Sequence, residues 1–508
     1  MALLTLARAQ DGAVVLLAFE GDAVHLMQIA TRMHIGEVPG IDFVTPLGAL
    51  AFLPFVWLMK MGQPLGASIA YAPVFLALLS LPLIWWAGVV RLSRWAALVF
   101  GGAVLVSWMS LLHGGTSATV TLSMYYNNWG WALVAIVSAF AFTPARGDRW
   151  LGAIVIGAGL GALAVLKAPF AAFLAPAVVL AFGVNRRWSE LGMAFVAGLV
   201  VVGLVALPLG GVSYLQAYIA DLLAVATSEV RASPGRGIVA MILQPLHFVL
   251  FVSWIAVVVF LRQAGRTNRV LVYLALGAGF FAMTHQNWQN DPHWALIFGL
   301  LIAIEAGSVD LLNRYGWHLG RALQVMSALF LVLAAPGVYV QAQSLLVHAG
   351  LNRENAIPLV AGDPTLLIRP DTPALVKRPH PGQEAPEPIR FAGEDLPWCE
   401  KDNGLIADLQ ASGKALNGLV PTKGKTAFYA DWVNAIWLWS DLDPLPGGAP
   451  WYYGGAPGLE KADYLVVPIC PMGRGVRNMA LRAVEAAGGN YQELGRDARM
   501  IVYGRVNP

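Results

Sequence analysis

WLGAIVIGAGLGALAVLKAPFAAFLAPAVVLAFGV, residues 150–184, decides the fold class. Its one charged residue is Lys167, and arginines bracket it at Arg146, Arg149, Arg186 and Arg187. A helix of about 17 to 25 apolar residues crosses a hydrocarbon core of about 30 Å, so residues 150–166 and 169–184 read as paired spans with Lys167 between them. Positive loops stay cytoplasmic, which puts both arginine pairs inside and Lys167 near the external end.

Working outward, further apolar runs occupy residues 67–90, 95–112, 129–144, 189–210, 238–261, 269–284, 293–309 and 320–341. Basic clusters fall in every second connection: Arg91 and Arg94, the two pairs above, then Arg262, Arg266 and Arg269, and Arg314 and Arg321. One consistent orientation follows, with residues 113–128, 211–237, 285–292 and the tail after 342 outside. The composition agrees: 57% of the chain is apolar and 12% charged, against about 25% charged in ordinary soluble domains. A net charge of +3, without a basic stripe, gives no nucleic-acid footprint.

The N-terminal region is harder to place. Residues 43–62 are apolar but interrupted by Pro46, Gly48, Pro54 and Lys60, which suits an interfacial or re-entrant helix rather than a crossing. Parity then makes residues 1–19 the first span, although Arg8 and Asp11 weaken it. They fit a signal peptide poorly, because the apolar run before Gln10 is too short. The expectation is a mainly α polytopic membrane protein of about eleven transmembrane helices, N-terminus inside, carrying a C-terminal soluble α/β domain. The bilayer is its first partner.

The domain boundaries read as 1–342 for the membrane part, with a first external loop at 20–66, then 343–390 as linker and 391–508 as the soluble domain. Pro370 to Pro388 is proline-rich. Residues 426–432, 464–469 and 500–506 read as strands, and 403–412 and 475–487 as helices. Cys399 and Cys470 both fall in this tail, where a disulfide is possible. No phosphate loop, dinucleotide fingerprint or nucleophile elbow occurs in it, so it reads as accessory. Trp432, Trp437, Trp439, Trp451, Tyr452 and Tyr453 read as packed core or lipid-facing surface before a sugar platform.

The chemistry concentrates in FEGDAVHLMQIATRMHIGEVPGIDFVTPLGAL, residues 19–50. Asp22, His25, Gln28 and Arg32 recur at helical spacing and share one face, as in an amphipathic helix lying along the membrane surface. Asp22 as a simple helix N-cap would give the same pattern.

An acidic residue after the first span, a short helix, then Gly36-Glu37-Val38-Pro39, Asp42-Phe43 and Thr45-Pro46-Leu47-Gly48, resembles the first external loop of the GT-C glycosyltransferase superfamily. That superfamily includes the protein mannosyltransferase and aminoarabinose transferase families. SMYYNNWGW at 123–131 and LKAPF at 166–170 are similar to features of the same families. One departure is that Glu20 and Asp22 are separated by a glycine instead of adjacent.

The resemblance implies an inverting transfer of sugar from a polyprenyl-phosphate donor to a glycan, lipid or protein acceptor of the cell envelope. Asp22 is then the general base, with Glu20 as the alternative. Asp42 and His25 would bind substrate, as would Tyr125, Tyr126, Asn127, His285, Gln286 and Asp291. Lys167, Arg231 and Arg236 would meet the phosphate. The placement is a bacterial inner membrane with the C-terminal domain in the periplasm. No cofactor is expected; His285, Asp291 and His293 could hold a divalent metal, but their spacing matches no metal motif. A polytopic transporter or lipid-linked glycan flippase is the alternative, and a non-catalytic envelope scaffold a third.

Overall fold

A computed structural model describes the chain except for residues 10, 11, 113–117, 145, 146, 148, 231–236, 287–291, 355, 361, 370–374, 378–388, 507 and 508. Helices α1 (Ala2–Ala9), α2 (Glu20–His34) and α3 (Leu53–Lys60) precede the bundle. The bundle comprises α4 (Leu65–Arg91), α5 (Arg94–Met109), α6 (Tyr125–Phe142), α7 (Arg149–Val184), α8 (Trp188–Ala206), α9 (Val212–Ala226), α10 (Ile238–Ile242), α11 (Pro245–Gln263), α12 (Thr267–Gln286), α13 (Trp294–Ala306) and α14 (Leu319–Ala349). Five helical segments among the described residues are long and apolar enough to cross a membrane: α4, α7, α8 with the turn that ends it, α11 and α14.

Inside α7 the backbone leaves helical geometry at Lys167 (φ −157°, ψ 98°). The two halves fold back on each other there. A Cβ on Gly152, in the first half, would meet Arg91, and the same Arg91 interacts electrostatically with Arg187 and Glu190, just beyond the second half. Both ends of α7 therefore lie at one end of the bundle, with Lys167 at the other. The first half then packs in parallel on α8, with Gly157 against Ala194 and Gly161 against Gly198, close enough that a Cβ on either α7 glycine would overlap the neighbouring backbone. The paired spans read from residues 150–184 take this form.

A reversal at a single residue strands backbone groups that a helix would pair. Two other segments pair them. Gly48 N–H donates to Leu166 O (3.2 Å). The Tyr218 hydroxyl donates to Ala164 O (3.2 Å) and accepts from Ala168 N–H (3.3 Å). Tyr218 lies on α9 one turn from Tyr214, whose hydroxyl accepts from Ala49 N–H (3.0 Å), and near Asp221, whose Oδ2 accepts from Thr45 N–H (2.8 Å). The outer side of α9 is apolar and exposed at Val212, Ile219 and Leu223, which suits a helix lying in the membrane interface. The apolar stretch 43–62 does not cross: it forms one 3-10 turn at Ala49–Ala51 and the eight-residue α3.

The first nineteen residues correct the expectation of a first span. After α1, Val14–Leu16 is a strand, paired in parallel with Leu366–Ile368, which also pairs antiparallel with Ile357–Pro358. The apolar run that reads as a span is a strand buried on every residue, and both compositions look alike in sequence. Arg8 is buried and donates to Ile69 O (2.7 Å), so α1 packs against the bundle. The count of eleven crossings falls with that first span.

In the tail, a four-stranded sheet runs in the order Asn490–Arg496, Met500–Val506, Tyr464–Pro468, Ala427–Tyr429, the last pair parallel. Helices α15 (Leu405–Leu419) and α16 (Arg474–Ala486) complete it, and Cys399 and Cys470 form a disulfide. Strand 490–496, exposed along most of its length, is the one member of this sheet that the sequence did not announce. This domain is docked on α2. Val44 N–H donates to Gly448 O (3.0 Å), Gly447 N–H to Asp42 O (2.7 Å), and Gln28 Nε2 to Pro450 O (2.9 Å).

Two outcomes test the stitching at the helix reversal. A Cβ on Gly48 would lie 1.9 Å from Val165 O, a backbone atom that cannot swing away. Gly48→Ala is expected to destabilise by about 1–3 kcal/mol, read as a lower midpoint in thermal unfolding of the purified protein. Burial pushes Asp221 up to about 7, against the opposing hydrogen bond from Thr45; the group is 8% exposed. Because its folded value lies above the unfolded one, its contribution is full below about pH 4 and is lost as pH rises through about 7, a change on the order of a few kcal/mol. Asp221→Asn should flatten the dependence of the unfolding midpoint between pH 5 and 8; an unchanged slope would rule Asp221 out as its source.

Candidate functional site

Two connections converge on the start of α6. The segment after the N-terminal strand is tied to the one before α6 by Leu17 N–H to Val120 O (2.9 Å) and by the Thr121 hydroxyl to Ala18 O (3.0 Å). At its end, the Ser123 hydroxyl donates to Asp22 Oδ2. Phe19 (φ 58°) and Met124 (φ 54°), the residues that open α2 and α6, are both non-glycine residues in the left-handed region. Such backbone costs about 1–3 kcal/mol per residue. The two strained residues flank the Asp22–Ser123 contact.

One turn into α6, Asn127 Oδ1 accepts from Lys167 Nζ (2.8 Å). The ammonium also lies over the rings of Tyr126 (5.2 Å) and Phe170 (5.8 Å). Lys167 is 6% exposed, a burial that a cation tolerates only with partners. Among the described residues Asn127 Nδ2 is a buried donor with no acceptor. Five residues of one segment, Ser123 to Asn127, thus carry contacts to both the half-buried carboxylate of Asp22 and the buried ammonium of Lys167.

The remaining sequence candidates separate by partner. Tyr125 donates its hydroxyl to Ala51 O (2.6 Å) and packs its ring on Phe55 and Trp129. Asp42 Oδ2 accepts from Val38 N–H (2.7 Å), closing the turn at residues 38–42. Glu20 Oε2 accepts from Ile406 N–H (3.2 Å), at the start of α15; burial pushes its carboxyl up, and hydrogen bonds from Ile406 and Leu405 pull it down. His25 lies against the Trp451 ring (5.4 Å), and Arg32 pairs with Glu37 and donates to Leu445 O (3.0 Å). The polar face of α2 therefore meets the C-terminal domain, which corrects the expectation of a helix resting on the membrane surface. The tail aromatics pack into the same contact: Trp432 on Trp451 (5.3 Å), and Trp437 Nε1 onto Gln28 Oε1 (3.3 Å).

His285 and Gln286 end α12, with His285 Nε2 and Gln286 Oε1 buried and unpartnered among the described residues. Arg231, Arg236 and Asp291 lie outside the described residues. Among those described, no group of three His, Cys, Asp or Glu could hold a metal ion. Below Asn127, a cavity of about 30 Å³ between α5, α6, α13 and α14 is lined by Ser107, Trp131, His293 and Gln341 among others, room for a water or two.

Ser123, Tyr218 and Asp221 are the residues that sequence reasoning missed. The spacing of Tyr214, Tyr218 and Asp221 in VSYLQAYIADLLAVA marks one polar face of a helix and could have found the last two. Nothing local marks Ser123.

No family model and no curated protein matches the chain. In overall layout it is similar to the crystal structure of ArnT from Cupriavidus metallidurans bound to undecaprenyl phosphate, at 13% identity and a TM-score of 0.45, over 99% of this chain and 97% of that one. The apo state of the same protein gives 13% identity and a TM-score of 0.42, over 99% and 96%.

Proposed function

We propose that the chain is a membrane glycosyltransferase of the GT-C type, moving a sugar from a polyprenyl-phosphate donor to an envelope acceptor on the external face. The observation that carries this reading is the start of α6, where Ser123 holds Asp22 and Asn127 holds Lys167. A carboxylate and a buried ammonium held by one short segment match the two demands of such a transfer.

The acceptor oxygen attacks the anomeric carbon, and its proton passes to Asp22. The bond from that carbon to the phosphate oxygen breaks, with attack opposite the leaving group inverting the centre. The polyprenyl phosphate leaves with added negative charge, which the Lys167 ammonium offsets. Tyr126, beside that ammonium, walls the phosphate position. Of the acidic pair Asp22 is taken as the base, because its partner Ser123 lies four residues from the Asn127 that holds Lys167, whereas Glu20 is turned to α15.

Transport is a second reading, favoured by one observation: the interruption of α7 at Lys167, since broken helices often build transport sites. Sugar transfer from defined polyprenyl-phosphate donors by the purified protein separates the two. Asp22→Asn is expected to lower turnover by about 10²–10⁴-fold with donor binding retained, and Lys167→Met to weaken donor binding. Wild-type protein that turns over no donor, while moving the lipid across vesicles, would favour transport instead. Full turnover by Asp22→Asn would remove Asp22 as the base.

A further inference from the structure

Glu20 and Gly21 open α2 and enter a socket in the C-terminal domain. The N-cap of α15 is Gly404, which has no side chain to offer the first N–H groups of that helix. Glu20 supplies the acceptor from 386 residues away, through Ile406 N–H, with Leu405 N–H as a further donor. A carboxylate is the favoured partner at this end of a helix, because both the unpaired N–H groups and the helix dipole attract it.

Gly21 faces the other wall. A Cβ there would lie 3.0 Å from Met472 Cε and 3.7 Å from Leu405 Cδ2. The two walls are covalently joined. Cys399 precedes the strand Glu400–Asn403 that leads into α15, and Cys470 precedes Met472 by two residues; the disulfide links them. Lys401 N–H to Pro471 O (2.8 Å) and Arg474 N–H to Glu400 Oε1 (3.0 Å) close the same seam.

We propose that Glu20 is a positioning residue: its carboxylate caps α15 across the two halves of the chain, and the disulfide-held socket sets the start of α2 and hence the place of Asp22. The catalytic half of this inference rests on the transferase reading above, and the docking half does not. A misplacement of about 1 Å at a reacting group costs as much as about 10²-fold in rate, so a cap worth only about 1 kcal/mol can act on turnover well beyond its effect on stability.

The test uses full-length protein and three variants: Glu20→Ala, Glu20→Gln and the double variant Cys399→Ser/Cys470→Ser. Backbone hydrogen exchange of residues 20–24 and 405–409 is read first, independently of any substrate. Glu20→Ala should speed exchange there about fivefold, the loss of one cap. Glu20→Gln, which keeps an acceptor oxygen, should stay near wild type, and the double variant should speed exchange in both segments. Unchanged exchange in Glu20→Ala overturns the cap, and unchanged exchange in the double variant overturns the locked socket, whether or not any donor is turned over.

Steady-state transfer is the second arm. Glu20→Ala should lose about tenfold or more in kcat with KM little changed, and Glu20→Gln should restore most of it. Glu20→Gln as inactive as Asp22→Asn, with wild-type exchange, would make Glu20 a reacting group and sink the proposal. If Glu20→Ala does not fold, the Gln and double-serine variants still decide it.

Discussion

A single peptide unit in the middle of an apolar hairpin organises the rest of the molecule. At Lys167 the chain turns back within one residue, and the carbonyls of Ala164 and Leu166 and the N–H of Ala168 would be left unpaired in a place that water reaches poorly. Gly48 and Tyr218 meet those groups. To do so, the first loop must come down to the hairpin and α9 must lie across it. The same geometry leaves Lys167 facing Asn127, so the reversal and the buried cation have one structural origin. Gly48 is the residue that permits it, since its position against Val165 O admits no side chain.

Much of this was legible because charge is rare in the chain. A lone lysine between two spans, arginines in alternate loops and an acidic pair after the N-terminal apolar run all stand out against an apolar background. They give the hairpin, and they single out Asp22 and Lys167 as candidates. What was not legible depended on partners far away in sequence. Residues 14–16 look like part of a span until Leu366–Ile368 supplies a strand for them to pair with. Glu20 and Asp22 look alike in sequence, and nothing local says that Glu20 will accept from Ile406 N–H. The polar face of α2 suggested headgroups because nothing local says that residues 445–451 will cover it. Hydropathy reports that a face is polar and leaves open what it meets.

The C-terminal domain is consequently more than an appendage. Its contacts with α2 and the first loop are largely backbone hydrogen bonds and buried side chains: Val44 with Gly448, Gly447 with Asp42, Gln28 with Pro450 and Trp437. Buried polar groups of this kind are costly when half satisfied. Undocking the domain would expose several at once, so the docked arrangement is favoured as a unit. The N-terminal strand adds a second tie, since it pairs with the segment that follows α14. The two ends of the membrane part are thereby fixed to each other before the domain begins.

Phe19 and Met124 show where that rigidity is spent. Each holds a left-handed conformation without being glycine; Phe19 sits immediately before α2, which carries Asp22, and Met124 sits between Ser123 and α6. Strain of about 1–3 kcal/mol per residue persists only where surrounding structure over-determines the backbone. Here the surroundings are identifiable: Leu17 and Ala18 are bonded to Val120 and Thr121 on one side, and Glu20 and Gly21 are gripped by the domain on the other. A simple N-cap at Asp22 would need neither strained residue, because an Asp cap works from ordinary extended backbone. The carboxylate of Asp22 instead reaches across to Ser123 in the connection before α6, and the chain holds two unfavourable torsions beside that contact. On the transferase reading proposed above, those torsions hold the carboxylate to the same short segment that meets the Lys167 ammonium.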